Sequence, residues 1–253
     1  MSASLEAAPQ SGPWQRVFAT VYDPLLALGE LAGLRRLRRR LLASARGRVV
    51  ELGAGTGLNL RHYPDGLEAL ILVEPDAAMR RRLRRRVRAH GRVADIVEAS
   101  AERLPLADHS VDTIVATLVL CTVDEPQRAL EEIARVLRPD GELLFVEHVR
   151  ADATRLARWQ DRLSRPWRRF ACGCHCNRAT VELMRACGFE LEIAEATWRA
   201  MPPIVRPLAI GHARPANQAG IQAPAATPQP NAEPGHSGRQ DTPRRTRIVD
   251  DGV

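Results

Sequence analysis

The chain has 253 residues, of which 45% are hydrophobic and 26% charged, a composition typical of one soluble globular domain. It excludes a chain that is disordered throughout. The net charge is +7, and all 37 basic residues are arginine. The longest predominantly apolar run, residues 25–34, is too short for a membrane span, and the N-terminus lacks the features of a secretory signal. We therefore expect a cytoplasmic protein with no transmembrane helix.

The two ends of the chain differ in composition from its middle. Residues 1–12 are poor in apolar side chains, and residues 213–253 contain six prolines, no aromatic residue and only four large aliphatic side chains. Both ends are predicted to be disordered, because so little apolar surface cannot offset the loss of chain entropy. Residues 13–212 are predicted to form the one folded domain.

Short aliphatic runs alternate with helical patterns along this predicted domain. Strands are predicted at residues 48–52, 69–74, 93–97, 111–117, 142–148, 189–194 and 205–212. Amphipathic helices are predicted between them, for example at residues 76–88 and 125–137. This alternation predicts an α/β fold with a doubly wound, seven-stranded and mostly parallel sheet, covered by helices on both faces.

Two arginine-rich runs, at residues 35–40 and 80–88, could attract nucleic acid or an anionic membrane surface. Apolar side chains recur between the arginines every three or four residues, so each run is interpreted as the solvated face of an amphipathic helix. No aromatic residue interrupts the runs, which argues against single-stranded nucleic acid. We expect no nucleic-acid partner, whereas a peripheral membrane contact of the N-terminal segment stays open.

The first predicted strand leads directly into the sequence ELGAGTG at residues 51–57. Glycine tolerates the positive φ of a sharp strand-to-helix turn and lets a ligand approach the backbone. A dinucleotide fingerprint would place its third glycine at position 58, where this chain has Leu58, so a pyrophosphate site is disfavoured. The alternative to a ligand site is a tight turn that binds nothing.

An acid, Glu74, ends the second predicted strand 23 residues after Glu51. In a doubly wound sheet this position lies beside the glycine turn, where a carboxylate can accept both hydroxyls of a ribose. The sequence ASAERLPL at residues 99–106 then follows the third predicted strand. Together these segments resemble the class I S-adenosylmethionine-dependent methyltransferases, whose Rossmann-like fold holds the adenine in the loop after strand three.

The resemblance becomes more specific in the second half of the chain. The segments that carry it include TLVLCTV at 117–123, RVLRPDG at 135–141, GCHCNR at 173–178 and RPLAIGH at 206–212. They are similar to a methyltransferase-like family whose animal members are thiol S-methyltransferases with an N-terminal membrane anchor, which we expect this chain to lack. The class I methyltransferases usually have aspartate where this chain has Ser100, so the serine hydroxyl or the neighbouring backbone would have to bind the adenine instead.

The resemblance implies S-adenosylmethionine as the cofactor and a set of residues that bind it. These are Glu51, Gly53, Ala54, Gly55, Gly57, Glu74, Pro75, Ser100, Ala101 and Leu118. Tyr22 and Asp23 resemble residues that cover the cofactor in this family, although a simple packing role is the alternative.

His148 is the candidate catalytic base, because it lies at the carboxyl end of the fifth predicted strand, where ligands collect in open parallel sheets. The alternative is a hydrogen-bonded structural histidine. Cys172, Cys174, His175 and Cys176 lie within five residues, a spacing unlike that of the usual zinc sites, and no metal is predicted. We interpret this segment as a loop that caps the acceptor pocket, with its cysteines reduced.

The sequence thus predicts an S-adenosylmethionine-dependent methyltransferase that acts on a small-molecule acceptor. A thiol is the first choice of acceptor, because thiols ionise near neutral pH and need little acid-base assistance. The alternatives are a phospholipid (phosphatidylethanolamine) N-methyltransferase and a catalytically silent cofactor-binding protein. No obligate protein partner is implied.

Overall fold

The computed structural model describes residues 12–216, apart from the side chain of Gln15, and the backbone of Thr246 and Arg247. The helices are α1 (Pro13–Gly29), α2 (Arg35–Leu42), α3 (Ala77–Ala89), α4 (Pro126–Val136), α5 (Thr154–Phe170) and α6 (Thr180–Ala186). The strands are β1 (Arg48–Leu52), β2 (Ala69–Val73), β3 (Asp95–Val97), β4 (Val111–Thr117), β5 (Leu137–His148), β6 (Phe189–Thr197), β7 (Pro207–Pro215) and β8 (Thr246–Arg247). A π turn (Glu30–Leu34) joins α1 to α2, and short 3-10 turns occupy Leu60–His62 and Pro203–Val205.

The strands form one sheet in the order β6-β7-β5-β4-β1-β2-β3-β8. The pairs β1/β2, β1/β4, β2/β3 and β4/β5 are parallel, and β7 runs antiparallel to both β5 and β6. The chain order reverses between β1 and β4, and ligands of such sheets bind at the carboxyl ends of the strands beside that reversal. The predicted doubly wound, mostly parallel sheet of seven strands is confirmed, with the two-residue β8 added antiparallel to β3.

The sheet has a separate hydrophobic cluster on each face, because its central strands are buried on both sides. One cluster joins the sheet to α1, α2 and α3 through side chains such as Leu26, Leu41 and Leu83. The other joins it to α4 and α6 through Ile133 and Met184. The two layers hold the strand ends rigid, so the loops that leave them have fixed starting points.

The predicted strands match the structure closely, with differences at their ends. β5 begins at Leu137, five residues earlier than predicted, and β7 continues to Pro215, beyond the predicted domain end at residue 212. Ala213 is buried and pairs with Leu143 and Leu191, so the predicted tail boundary was wrong by three residues. The predicted disorder of residues 1–12 and of the rest of the tail falls largely outside the described residues.

The N-terminal helical stretch Arg16–Leu42 is long and apolar enough, by length and composition, to cross a membrane, and only a minor part of it is buried in the fold. This stretch differs from the prediction of no transmembrane helix, which rests on the length of a single uninterrupted apolar run. The stretch is not a straight rod, since the backbone leaves helical geometry at Gly33, where φ is 132°.

Candidate active site

The glycine turn after β1 contains three glycines with left-handed backbone, at φ values of 53° for Gly53, 56° for Gly55 and 84° for Gly57. A Cβ at Gly53 would lie 2.8 Å from Val119, and a Cβ at Gly57 would lie 2.8 Å from both Leu60 and Leu83. At Gly55 the nearest atom to such a Cβ is the carbonyl oxygen of Gly53, at 3.8 Å. Gly53 and Gly57 are therefore required for packing, whereas Gly55 faces open space.

Glu74, at the end of β2, reaches the same turn. Its Oε2 accepts a hydrogen bond from the backbone N–H of Gly55 at 2.8 Å, and its Oε1 accepts one from Asp76 at 2.8 Å. Burial raises the pKa of this carboxyl above its usual value, while the two backbone bonds favour ionisation. Each carboxylate oxygen has a second lone pair, so Glu74 can accept further hydrogen bonds from hydroxyls above the turn.

The loop after β3 lies alongside the end of β2, because the backbone N–H of Glu74 donates to the carbonyl of Val97. Ser100 accepts a weak bond from the backbone of Glu102 at 3.3 Å, and Ala101 is buried in the core. The carbonyl of Pro75 accepts from the Arg80 guanidinium. The sheet register therefore places the predicted segments around residues 55, 74 and 100 at neighbouring strand ends.

Glu51 lies beneath the glycine turn and is buried. Its two carboxylate oxygens accept hydrogen bonds from Asn59 at 2.9 Å and from the hydroxyl of Tyr63 at 2.8 Å. Burial raises the pKa of Glu51 to about 7, against the opposing effect of these two bonds. Glu51 therefore holds in place the helical segment that follows the turn. It also lines the small cavity at the turn.

Arg38 of α2 is a site residue that the sequence analysis missed. Its Nη1 donates to Asn59 at 2.8 Å and to Thr117 at 2.9 Å, and its Nε pairs with Glu30 at 3.0 Å. Nη2 donates to no residue in the part of the chain that the structure describes, although the side chain lines the small cavity at the glycine turn. The interpretation of both arginine runs as solvated faces was wrong here, since Arg38 is buried.

Two arginines of α3, Arg80 and Arg86, also contradict the prediction that each arginine run forms the solvated face of its helix. Arg80 is buried and bonds to the carbonyl of Glu74 at 2.9 Å. Spacing in the sequence offered a signal for two of the three arginines. Arg38 lies four residues after Leu34 and three before Leu41, so it lies on the apolar face of its helix. Arg80 lies three residues before Leu83 and likewise lies on the apolar face of its helix.

Helix α1 covers the glycine turn through a polar clasp. Asp23 accepts a bond from the Thr56 hydroxyl at 2.6 Å and pairs with Arg86 at 2.5 Å, and Arg86 also donates to Thr56 at 3.0 Å. Tyr22 lines the cavity, and burial raises its pKa to about 12, which keeps the phenol protonated. The cavity has a volume of only about 20 Å³, so α1 covers the turn closely.

The loop after β4 forms the other wall of the site, and Leu118 within it has a left-handed backbone with φ of 61°. Glu147 of β5 is fully buried and holds this loop, because its carboxylate accepts the backbone N–H groups of Val119, Leu120 and Cys121 at 2.8, 2.9 and 3.1 Å. Burial raises its pKa to about 7. Nothing in the sequence singles out Glu147, since only the fold shows that its carboxylate faces this backbone.

His148 is buried at the carboxyl end of β5, and its ring stacks on Trp198 at a centroid distance of 5.7 Å. Its Nδ1 has no hydrogen-bond partner among the described residues. Burial lowers its pKa to about 4, so the imidazole is neutral at pH 7 and a weak base. The indole of Trp198 in turn packs against α1, because a Cβ at Gly29 would lie 2.5 Å from it.

The cysteine-rich segment packs against the loop after β4. The Sγ atoms of Cys174 and Cys121 are 3.8 Å apart, and the backbone N–H of His175 donates to the carbonyl of Cys121. Within the described part of the chain, no group of three or more metal-ligating side chains is arranged to hold an ion. A larger cavity of about 770 Å³ lies at the opposite edge of the sheet, near Arg61 and His90, away from the strand ends that bind ligands in this architecture.

Comparison with known proteins identifies the family. Residues 50–145 match the family model described as a methyltransferase domain. Thiol S-methyltransferase TMT1B of Mus musculus is 32% identical over 216 residues, which span 79% of this chain and 86% of the relative. The chain belongs to the S-adenosylmethionine-dependent methyltransferase family. The predicted family and enzyme class are confirmed.

Two further comparisons place this methyltransferase among its relatives. Phosphatidylethanolamine N-methyltransferase of Cereibacter sphaeroides is 34% identical over 148 residues, covering 57% of this chain and 71% of the relative. A crystal structure of an S-adenosylmethionine-dependent methyltransferase from Thermotoga maritima, described as a possible histamine N-methyltransferase, superposes with a TM-score of 0.60 at 24% identity. It covers 80% of this chain and 98% of its own, and it supports the fold.

The site fits the cofactor of this methyltransferase, S-adenosylmethionine, in its chemistry. The open side of Gly55, the spare acceptor capacity of Glu74 and the free edge of the Arg38 guanidinium lie around one turn. These groups match a ribose with two hydroxyls and a carboxylate, which are the polar parts of the cofactor. The predicted cofactor is confirmed by the family.

Proposed function

We propose that this methyltransferase transfers the methyl group of S-adenosylmethionine to the sulfur of a small thiol. The observation that carries the proposal is the match to proteins named thiol S-methyltransferases, which extends over most of both chains.

The chemistry of the site supports the same choice of acceptor. The candidate base His148 is buried with its pKa lowered to about 4, and both carboxylate oxygens of Glu147 accept hydrogen bonds from backbone N–H groups. Such a site offers no strong base. A thiol has a pKa of about 8.5 and supplies its own thiolate, whereas a protonated amine must first lose a proton.

In the proposed reaction the thiolate sulfur forms a bond to the methyl carbon, while the bond from that carbon to the cofactor sulfur breaks. When bound, S-adenosylmethionine supplies an activated methyl group on a positively charged sulfur. The protein holds donor and acceptor in line and excludes water, which can contribute about 7 to 11 kcal/mol. Asp23, Thr56 and Arg86 fasten α1 over the site, and Glu147 holds the loop that contains Leu118.

We assign the cofactor contacts residue by residue. Glu74 would accept the ribose hydroxyls, Ser100 and Ala101 would bind the adenine, and Gly55 would allow the ligand to approach the backbone. The free Nη2 of Arg38 would bind the methionine carboxylate, since a guanidinium edge pairs strongly with a carboxylate. Leu118 would lie beside the adenine or the methyl group.

Phosphatidylethanolamine is the second candidate acceptor. The Cereibacter relative carries that name and is 34% identical, but the match covers 57% of this chain rather than 79%. An amine acceptor would also require a base that removes its proton. His148, whose pKa is lowered to about 4, is too weak a base for that step.

The test is methyl transfer from labelled cofactor to a panel of thiols and to phosphatidylethanolamine. We expect thiols to be methylated, with a rate that rises with pH and an apparent pKa that follows the pKa of each thiol. An enzyme base would give one fixed apparent pKa across the panel. Methylation of phosphatidylethanolamine alone would overturn the thiol proposal and leave the cofactor assignment intact.

His148→Asn separates a structural from a catalytic role for this residue. With a thiol acceptor we expect the variant to keep most of its activity at alkaline pH, where the substrate ionises without help. A loss of about 100-fold or more with every acceptor would instead show that His148 is the base.

A further inference from the structure

The outer face of α1 and of the π turn that follows it carries exposed apolar side chains. They recur every three or four residues and form one stripe, which we call the apolar stripe: Trp14, Val17, Val21, Leu25, Leu28 and Leu31. Leu28 is 69% exposed and Leu31 is 77% exposed. Contiguous apolar surface of this kind is uncommon on a soluble protein and marks an interaction site.

The apolar stripe is held outward by the fold itself. The opposite face of the same helix is engaged, since Phe18 and Leu26 are buried and Asp23 is fastened to Thr56 and Arg86. The helix therefore cannot rotate the stripe inward without breaking the cover over the cofactor site.

Helix α5 continues this surface. Trp14 donates a hydrogen bond to the carbonyl of Phe170 at 3.2 Å, and their ring centroids are 6.1 Å apart. Trp159 and Phe170 are exposed on α5. The exposed arginines of the helix are Arg155, Arg158, Arg162, Arg165, Arg168 and Arg169. None of these six forms an ion pair with a carboxylate of the described residues.

We propose that the apolar stripe and the α5 arginines together dock the protein in the plane of a bilayer that contains anionic phospholipids. Apolar and aromatic side chains beside unpaired arginines match the boundary between acyl chains and negatively charged headgroups. A second copy of the chain fits this surface less well than a bilayer does, because a symmetric contact would bring the arginine rows of two copies together. Insertion of the helix across the membrane is also disfavoured, since the polar side chains Asp23 and Arg38 would leave their buried partners.

Docking in this orientation has a structural consequence. Most of the apolar stripe lies on α1, the helix that also carries Tyr22 and Asp23, so the cover of the cofactor site would lie at the membrane surface. Acceptors dissolved in the bilayer would then be concentrated beside the site. The inference does not depend on which acceptor is methylated.

The test is co-sedimentation of the full chain with vesicles of phosphatidylcholine alone and of phosphatidylcholine mixed with phosphatidylglycerol. We expect binding to the mixed vesicles that weakens with added salt. Leu31→Glu should reduce that binding by about tenfold or more, because it places a charge in the apolar contact. The matched control is Val93→Glu, which changes a side chain that is 66% exposed and lies outside the surface.

Three outcomes would overturn the proposal. One is equal vesicle binding by Leu31→Glu and Val93→Glu, with both variants folded according to their melting temperatures. Another is a dimer in sedimentation velocity that Leu31→Glu dissociates, with no vesicle binding by the unaltered chain. The third is resistance of the membrane-bound protein to extraction at alkaline pH, which would indicate a spanning helix.

Discussion

At the scale of single residues, the three glycines of the turn after β1 have different roles. Val119 leaves no room for a side chain at Gly53, and Leu60 and Leu83 leave none at Gly57. Gly55 is free of such contacts and donates its backbone N–H to Glu74. The position that we assign to the cofactor is thus the one that internal packing does not constrain.

Gly55→Val is expected to abolish cofactor binding, because the added branch would occupy the space over the turn. Positive φ alone costs a non-glycine residue about 1 to 2 kcal/mol. Gly91→Val is the matched control for that strain, since Gly91 has φ of 60° and no neighbouring atom within 4 Å. Calorimetric titration with S-adenosylmethionine should show binding by the control and not by Gly55→Val. Equal affinities would refute the assignment.

Arg38→Lys is expected to lower the affinity for S-adenosylmethionine by about 2 kcal/mol, because lysine cannot provide the guanidinium edge. The exposed neighbour Arg39 provides the control variant Arg39→Lys. Comparison with decarboxylated S-adenosylmethionine separates binding from stability. If Arg38 binds the carboxylate, the substitution should weaken binding of the normal cofactor and leave that of the decarboxylated one nearly unchanged. An equal loss for both ligands would assign Arg38 to the scaffold alone.

The buried His148 predicts a pH dependence of stability. Its folded pKa of about 4 lies below its usual value of 6.5, so the unfolded chain binds the additional proton between these values. Stability is therefore lost as the pH falls from about 6.5 towards 4. From pH 7.5 to about pH 5 the unaltered protein should lose about 2 kcal/mol more than His148→Phe in urea unfolding. Parallel curves would contradict a neutral, buried imidazole.

At the scale of elements, α1 and the loop after β4 are positioned by polar side chains rather than by apolar packing alone. Asp23 ties α1 to the glycine turn, and Glu147 ties the loop after β4 to β5. Both carboxylates are satisfied by donors from elements distant in the chain, so each fixes one wall of the site.

Asp23→Asn is expected to speed the release of bound S-adenosylhomocysteine by about fivefold, because the partly exposed pair with Arg86 contributes about 1 kcal/mol. Stopped-flow displacement measures that rate. Asp65→Asn is the control, since it removes another aspartate-arginine pair, with Arg92 at 3.2 Å, outside the site. If both variants release the ligand equally fast, α1 does not act as the cover.

At the scale of the whole molecule, the pairing of β7 extends the domain to Pro215. Truncation after Ala216 should leave cofactor affinity unchanged and shift the melting temperature by about 3 °C at most, because β8 pairs only two residues with β3. Truncation after His212 should lower it by about 5 °C or more, since it removes the buried Ala213 and its pairing with both neighbours. A large drop for the first truncation would show that the tail stabilises the domain.

The sequence by itself determined the fold class, the glycine turn and the acid after β2. These are local signals, because strand runs, positive φ at glycine and an acid at a strand end depend on neighbouring residues alone. The family resemblance extended the prediction to the cofactor and the enzyme class, both of which the comparisons support.

Only the tertiary structure decided which charged side chains line or support the candidate site. Arg38 and Glu147 resemble many other charged residues in the sequence, and their roles arise from partners 79 and 28 residues away, at Thr117 and Val119. The direction of β7 and the stacking of His148 on Trp198 are likewise set by long-range pairing. A buried charge needs such distant partners to offset its desolvation, and the order of residues along the chain does not specify which partners the fold supplies.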